Sequence, residues 1–174
     1  MKKYFYYLFA IYIVILVALL SGCAAQRADI SSDDEDSLWI VGEKIENTVF
    51  EDSDISIQLY ENSLSADGAS FIITNSSKTD YGTVQEYRLG ILVDETWFYI
   101  KSTQNYDYAG EEQLVSANSK ASRSIVWTNI YGKLPKGKYC YIDYFHPTNE
   151  PLDQSKVIRA YCFFEITEEM ESQK

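Results

Sequence analysis

The chain has 174 residues, of which 26 are acidic and 15 are basic, and its formal net charge at pH 7 is −11. A surface this acidic repels phosphate backbones and anionic headgroups, so the composition excludes a nucleic-acid-binding protein. Aromatic residues make up 15% of the sequence, against only 3 prolines and 8 glycines. This balance is typical of one packed, strand-rich domain and not of a disordered chain.

Residues 1–22 have the pattern of a bacterial export signal. Two lysines precede an uncharged, mostly apolar run from Tyr4 to Leu20. The run ends in the tetrapeptide Leu20-Ser21-Gly22-Cys23. This tetrapeptide resembles the lipobox of bacterial lipoproteins, in which small residues precede a cysteine that receives a diacylglyceryl group. We therefore expect cleavage before Cys23 and lipid on its thiol, with an uncleaved transmembrane anchor or an unmodified secreted product as the alternatives.

Lipidation would also determine where the protein resides. Two or more acyl chains anchor a protein stably, so we expect the mature chain at the extracytoplasmic face of the cell membrane. Residues 23–37 include four consecutive acids, Asp33 to Asp36. Ile30 is the only large aliphatic residue of this segment. So little apolar surface cannot offset chain entropy, which predicts a disordered acidic tether.

Residues 38–167 alternate short apolar or β-branched runs with clusters of Gly, Asn, Asp and Ser, and no helical period is sustained. This spacing predicts one all-β domain, an antiparallel sandwich of seven or eight strands, followed by a polar tail at 168–174. Asp94-Glu95 predicts a tight hairpin, and Tyr106 to Ala117 is expected to be a loop. The predicted strands are Ile55–Leu59, Ala69–Asn75, Gln85–Val93, Thr96–Lys101, Ser122–Thr128, Tyr139–Phe145 and Val157–Ile166.

Three segments carry a family resemblance: Glu86-Tyr87-Arg88-Leu89, Val93-Asp94-Glu95-Thr96-Trp97 and Tyr131-Gly132-Lys133-Leu134-Pro135-Lys136-Gly137-Lys138-Tyr139. Together they resemble the bacterial immunoglobulin-like domain found in Gram-positive lipoproteins and secreted proteins. The resemblance spans about residues 55–166 and implies an immunoglobulin-like sandwich. The family's hairpin has a glycine where this chain has Glu95, so the resemblance leaves the type of that turn open.

The last of these segments predicts a tyrosine corner. Leu134 and Pro135 precede Gly137 and Tyr139 at the entry to a late strand. Proline presets a turn, glycine frees the backbone, and the tyrosine ring packs on the core while its hydroxyl bonds upstream backbone. We therefore predict a structural role for these four residues.

The sequence offers little for catalysis. Its one histidine, His146, lies beside Pro147 in a predicted loop, and a lone histidine cannot build a multi-histidine zinc site. The sequence contains no nucleophile elbow and no phosphate-binding glycine loop. Asp143 interrupts an apolar strand, so we expect it on the solvent face or hydrogen-bonded at the sandwich edge. We predict a protein that is not an enzyme and has no cofactor and no metal.

Two further cysteines, Cys140 and Cys162, lie on strands predicted to be neighbours. If Tyr139 and Tyr141 face the core, parity turns Cys140 outward, whereas Cys162 shares the parity of the core residue Phe164. We favour two free thiols, with a disulfide as the alternative in an oxidising compartment.

The aromatic residues suggest binding. Trp97, Tyr99, Tyr106, Tyr108, Tyr141 and Tyr144 exceed the needs of one core, so we expect some to contact a protein, peptide or sugar, the alternative being that they fill the core. The candidate surface joins Tyr106 and Tyr108 to His146.

We therefore predict a membrane-tethered, non-catalytic binding or accessory domain for an envelope partner. The alternatives are a proteinase-inhibitor-like sandwich and, less expected, an envelope-polymer hydrolase with two acids ~5–10 Å apart.

Overall fold

The computed structural model describes residues 38–46, 53–83, 86–105 and 112–172. The export signal, the tether and the pair Tyr106 and Tyr108 lie outside these residues. The described residues form two helices, α1 (Thr128–Tyr131) and α2 (Glu168–Glu171), a 3-10 turn (Gln154–Lys156) and ten strands. The strands are β1 (Trp39–Lys44), β2 (Ile55–Leu59), β3 (Gly68–Asn75), β4 (Tyr81–Thr83), β5 (Arg88–Val93), β6 (Thr96–Ser102), β7 (Leu114–Val115), β8 (Ser119–Val126), β9 (Gly137–Pro147) and β10 (Ile158–Ile166).

The strands build two antiparallel sheets, which confirms the predicted all-β sandwich. In the larger sheet, β1, β6, β5 and β9 are successive neighbours. Strand β9 pairs with β10 along one edge, and with β5 and then β4 along the other. Strand β7 continues this sheet from β4. The smaller sheet has the order β2-β3-β8.

All seven predicted strands are present, and three further strands were not predicted. Strand β7 lies within the segment predicted to be a loop, so that prediction is wrong for Leu114–Val115. Strands β4 and β7 have three and two residues, too few to show an alternating pattern. They exist because they pair with a partner that is already part of the sheet.

The expected loop at His146 is also wrong. Strand β9 runs on to Pro147, and His146 pairs with Gly82 of β4. Proline has no backbone N–H, but at the last position of a strand it does not interrupt the ladder of hydrogen bonds. His146 is therefore a partly buried strand residue.

The core between the sheets is dominated by aromatic side chains. Phe71 of β3 and Tyr141 of β9 stack with their ring centres 4.2 Å apart. Trp127, before α1, stacks on Phe164 of β10, and its indole nitrogen donates a 2.7 Å hydrogen bond to the Ala66 carbonyl. In both pairs, a buried ring thus packs against a second ring.

Asp143 is neither on the solvent face nor at the edge, which corrects the expectation for this residue. Its side chain is 0% exposed and lies between the sheets. Arg123 of β8 donates a 2.6 Å hydrogen bond to it, and the Tyr141 hydroxyl and the Tyr144 amide donate bonds of 2.8 and 3.0 Å. Burial raises the pKa of Asp143, although the Arg123 charge opposes this rise. The pair joins the two sheets.

Cys140 and Cys162 are free thiols on opposite faces of the larger sheet. Cys140 pairs with Phe163, and Cys162 pairs with Tyr141, so their side chains point in opposite directions. Cys140 faces outward from the main core, as parity predicted, but it is buried there in a second cluster with Ile45 and Ile142. Burial raises the pKa of Cys140 to about 12 and that of Cys162 to about 11.

Candidate functional site

The predicted corner residues meet at the start of β9. The Tyr139 hydroxyl donates a 2.9 Å hydrogen bond to the Pro135 carbonyl, which is the upstream backbone bond of a tyrosine corner. Leu134 is fully buried beneath the turn. A Cβ at Gly137 would lie 3.2 Å from the Tyr139 ring, so a larger residue there would push against it. Burial raises the pKa of Tyr139. These contacts give the four residues a structural role in the turn before β9.

The predicted binding residues do not form a described surface. Tyr106 and Tyr108 lie outside the described residues. His146 lies in β9 with its Nε2 atom 2.9 Å from the Glu112 carboxylate. Glycine at position 82 makes this contact possible, because a Cβ there would collide with the Glu112 side chain. The histidine therefore has a structural contact of its own.

A different aromatic surface lies on the outer face of the larger sheet, the face opposite the main core. The register aligns Gly90 with both Cys140 and Tyr99, and Cys140 with Phe163, in one row across four strands. The side chain of Ile45 packs over Gly90, where an added Cβ would lie 2.8 Å from it. Around this small cluster lie the partly buried rings of Trp97, Tyr99, Tyr144 and Tyr161.

Arginines alternate with the tyrosines of this face. The Arg88 guanidinium lies 5.3 Å from the centre of the Tyr99 ring and 3.4 Å from the Glu86 carboxylate. Tyr144 lies near Tyr99 and pairs with Arg159 of β10. Burial, together with the neighbouring Tyr99 phenol, raises the pKa of Tyr144. The result is a connected group of two phenols between two guanidinium groups.

A cavity of about 540 Å³ opens beside this group, and we call it the Arg88 cavity. Its charged lining consists of Glu43 from β1, Glu86 just before β5, Arg88 at the start of β5, and Lys101 from β6. Tyr99 supplies an aromatic wall. The volume lies within the ~300–1,000 Å³ range of small-ligand sites, but the lining is more polar than is usual for them.

A second cavity of about 390 Å³ shares Glu43 and Tyr99 with the first and reaches Arg159. The two cavities therefore adjoin each other at Glu43 and Tyr99. Sequence patterns did not reveal this site, since strand pairing brings Arg88, Tyr99 and Arg159 together from three separate segments. The only available signal was the excess of aromatic residues, which included Tyr99.

The described residues contain no group of three or more His, Cys, Asp or Glu side chains that could hold a metal ion. Within the same residues, no helix has the length and apolar character needed to cross a membrane.

Comparison with protein families places the sandwich in a known group. The model of a family described as bacterial Ig-like domain matches residues 51–153, which is more than half of the chain. The matched segment runs from before β2 to beyond the end of β9 and contains both the tyrosine corner and Arg88. A search of curated proteins gives no match. The chain therefore belongs to the bacterial Ig-like domain family.

Proposed function

We propose that this protein is a membrane-anchored lipoprotein whose Ig-like domain binds an envelope partner outside the cytoplasm without catalysing a reaction. Two observations support the proposal. A positively charged start, an apolar run and a lipobox-like tetrapeptide follow one another in the order of a lipoprotein signal. Membership in the bacterial Ig-like family supports a non-catalytic domain. Binding would use the Arg88 cavity, where aromatic and charged side chains converge.

The carboxylates of the cavity favour binding over hydrolysis. Glu86 is ion-paired with Arg88, and Glu43 lies at the exposed rim of β1. Both glutamates are exposed, and Glu86 is already engaged with Arg88, so the pair suits hydrogen bonding to a bound partner.

Intact mass analysis of the protein extracted from membranes tests the anchor. We expect a mature chain that begins at Cys23 and carries two or three acyl chains, and metabolic labelling with a fatty acid should be lost in Cys23→Ala. Cys162→Ala is the matched control, since it removes a thiol that the proposal does not use. An unmodified chain that still begins at Met1 would contradict the lipoprotein and favour the transmembrane alternative.

A further inference from the structure

We infer that the Arg88 cavity binds an uncharged glycan segment several sugar residues long. The inference rests on the proposed function, since it names the partner class of the same domain. It depends on the size of the cavity, the balance of its charges and the kind of hydrogen-bonding groups that it offers.

The size of the cavity argues against a folded protein partner. The cavity extends across strands β1, β6 and β5, which lie about 4.8 Å apart, and along the stretch from Tyr99 to Gln104, which rises about 3.3 Å per residue. Its opening therefore measures roughly 10 by 17 Å. An opening on the order of 170 Å² is small beside the ~800 Å² that each partner buries in a stable protein interface, so a folded protein would have to make most of its contacts outside the cavity. A narrow, chain-like ligand fits this opening better.

The charges of the lining cancel. Two acids, Glu43 and Glu86, face two bases, Arg88 and Lys101, so the lining has no net charge to offer an ionic ligand. The whole chain carries a net charge of −11, which repels polyanions at long range. An uncharged ligand rich in hydroxyl groups suits such a lining, because both carboxylates and guanidinium groups hydrogen-bond to hydroxyls.

The backbone offers little to an extended peptide. A peptide that adds to a sheet needs a free strand edge, and β5 and β6 are each paired on both sides. Strand β1 ends the sheet formed by the described residues, but a register shift between Val41 and Lys44 interrupts it, which limits strand addition. Recognition must therefore use side chains. The part of the Tyr99 ring that lines the cavity can contact sugar C–H groups while its neighbours bond the hydroxyls.

Calorimetric titration of the full-length protein tests the inference, in a polyoxyethylene detergent that carries no sugar headgroup. The probes are hexa-N-acetylchitohexaose and cellohexaose, which are uncharged, and hexagalacturonate, which is anionic. We expect at least one uncharged hexamer to bind, and Tyr99→Leu and Arg88→Gln to weaken that binding at least about tenfold. Lys101 is exposed, so Lys101→Gln should have little effect on folding. Because Lys101 lines the cavity, this variant should also weaken binding.

Matched controls lie away from the cavity. Tyr60→Leu removes an exposed tyrosine that follows β2, and Lys120→Gln removes an exposed lysine of the smaller sheet, so both should leave binding within about twofold. Failure of both uncharged hexamers to bind at 10 mM, preference for hexagalacturonate, or equal weakening by the controls would each overturn the inference. Shortened oligosaccharide products would instead overturn the non-catalytic function. None of these outcomes bears on the lipid at Cys23.

Discussion

At the scale of single residues, two turns show how side-chain chemistry shapes this sandwich. Tyr139 closes the turn before β9 through its bond to Pro135. The β5–β6 hairpin turns through Asp94 and Glu95, whose φ angles of 46° and 63° are both in the left-handed region. Two such residues in succession define a type I′ turn, which glycine or asparagine normally occupies. The turn type that the resemblance left open is therefore the usual one for a two-residue hairpin. Glu95, however, occupies a position that glycine normally takes.

Tyr139→Phe should lower the free energy of unfolding by about 1–2 kcal/mol, because it removes a buried hydrogen bond and leaves the Pro135 carbonyl without its donor. Urea denaturation measures this loss. Tyr60→Phe, at an exposed site, should change stability little. Equal stability of Tyr139→Phe and the unmodified protein would mean that the corner bond contributes nothing.

Glu95→Gly should raise the free energy of unfolding by about 1 kcal/mol, since a left-handed conformation costs a residue with a Cβ roughly that much. Asn62, with a φ of 61°, provides the control. Asparagine tolerates this conformation, so Asn62→Gly should gain less. A destabilised Glu95→Gly protein would show that the Glu95 side chain has a role the backbone angle does not reveal.

At the scale of elements, strand β9 determines most of the architecture. Its eleven residues pair with β10 on one side and with β5 and β4 on the other, and its two faces contribute to two separate apolar clusters. The alternation of Tyr139, Cys140 and Tyr141 predicted correctly that neighbouring side chains point to opposite faces. It could not predict that both faces are covered, because Ile45 comes from a distant part of the chain.

The opposite orientation of Cys140 and Cys162 predicts that they stay reduced even in an oxidising compartment. A maleimide reagent at pH 8 should label neither thiol in the folded protein, because both are buried and their pKa values are about 12 and 11. After unfolding without reductant, mass spectrometry should find both residues labelled. Labelling only after addition of a reductant would reveal a disulfide.

At the scale of the whole molecule, contacts around Tyr141 hold the two sheets together. In antibody domains, the residue two positions after the corner tyrosine is a cysteine of the inter-sheet disulfide. Here that position is Tyr141, which stacks on Phe71 of the facing sheet. The ion pair between Arg123 and Asp143 crosses the same gap. Ring stacking and a buried ion pair thus occupy the place of a covalent link.

Arg123→Met should destabilise the protein by about 3–5 kcal/mol at pH 7, because it leaves the Asp143 carboxylate buried without its partner charge. The pKa of Asp143 is already raised and should rise further without Arg123. The pKa of the Asp143 carboxyl is raised in the folded protein, so its contribution to stability is complete below its unfolded pKa of about 3.9. This contribution is lost as the pH rises through the folded pKa. The loss measured in urea should therefore be smaller at pH 4.5 than at pH 7.

Lys133→Met is the control for this experiment, since Lys133 pairs with Asp67 at an exposed site and should change stability little at either pH. Equal losses for Arg123→Met at the two pH values would show that Asp143 does not titrate in this range.

The all-β class, seven of the strands and the identity of the corner residues followed from the sequence, because alternation and turn chemistry are local properties that a short segment carries by itself. Tertiary structure alone decided the burial of Asp143, the strand position of His146 and the meeting of Tyr99 with Arg88 and with Arg159. In each case the partner lies far away in the chain, on β8, β4 or a neighbouring strand. Such contacts depend on which strands pair and in which register, and no single segment encodes that choice.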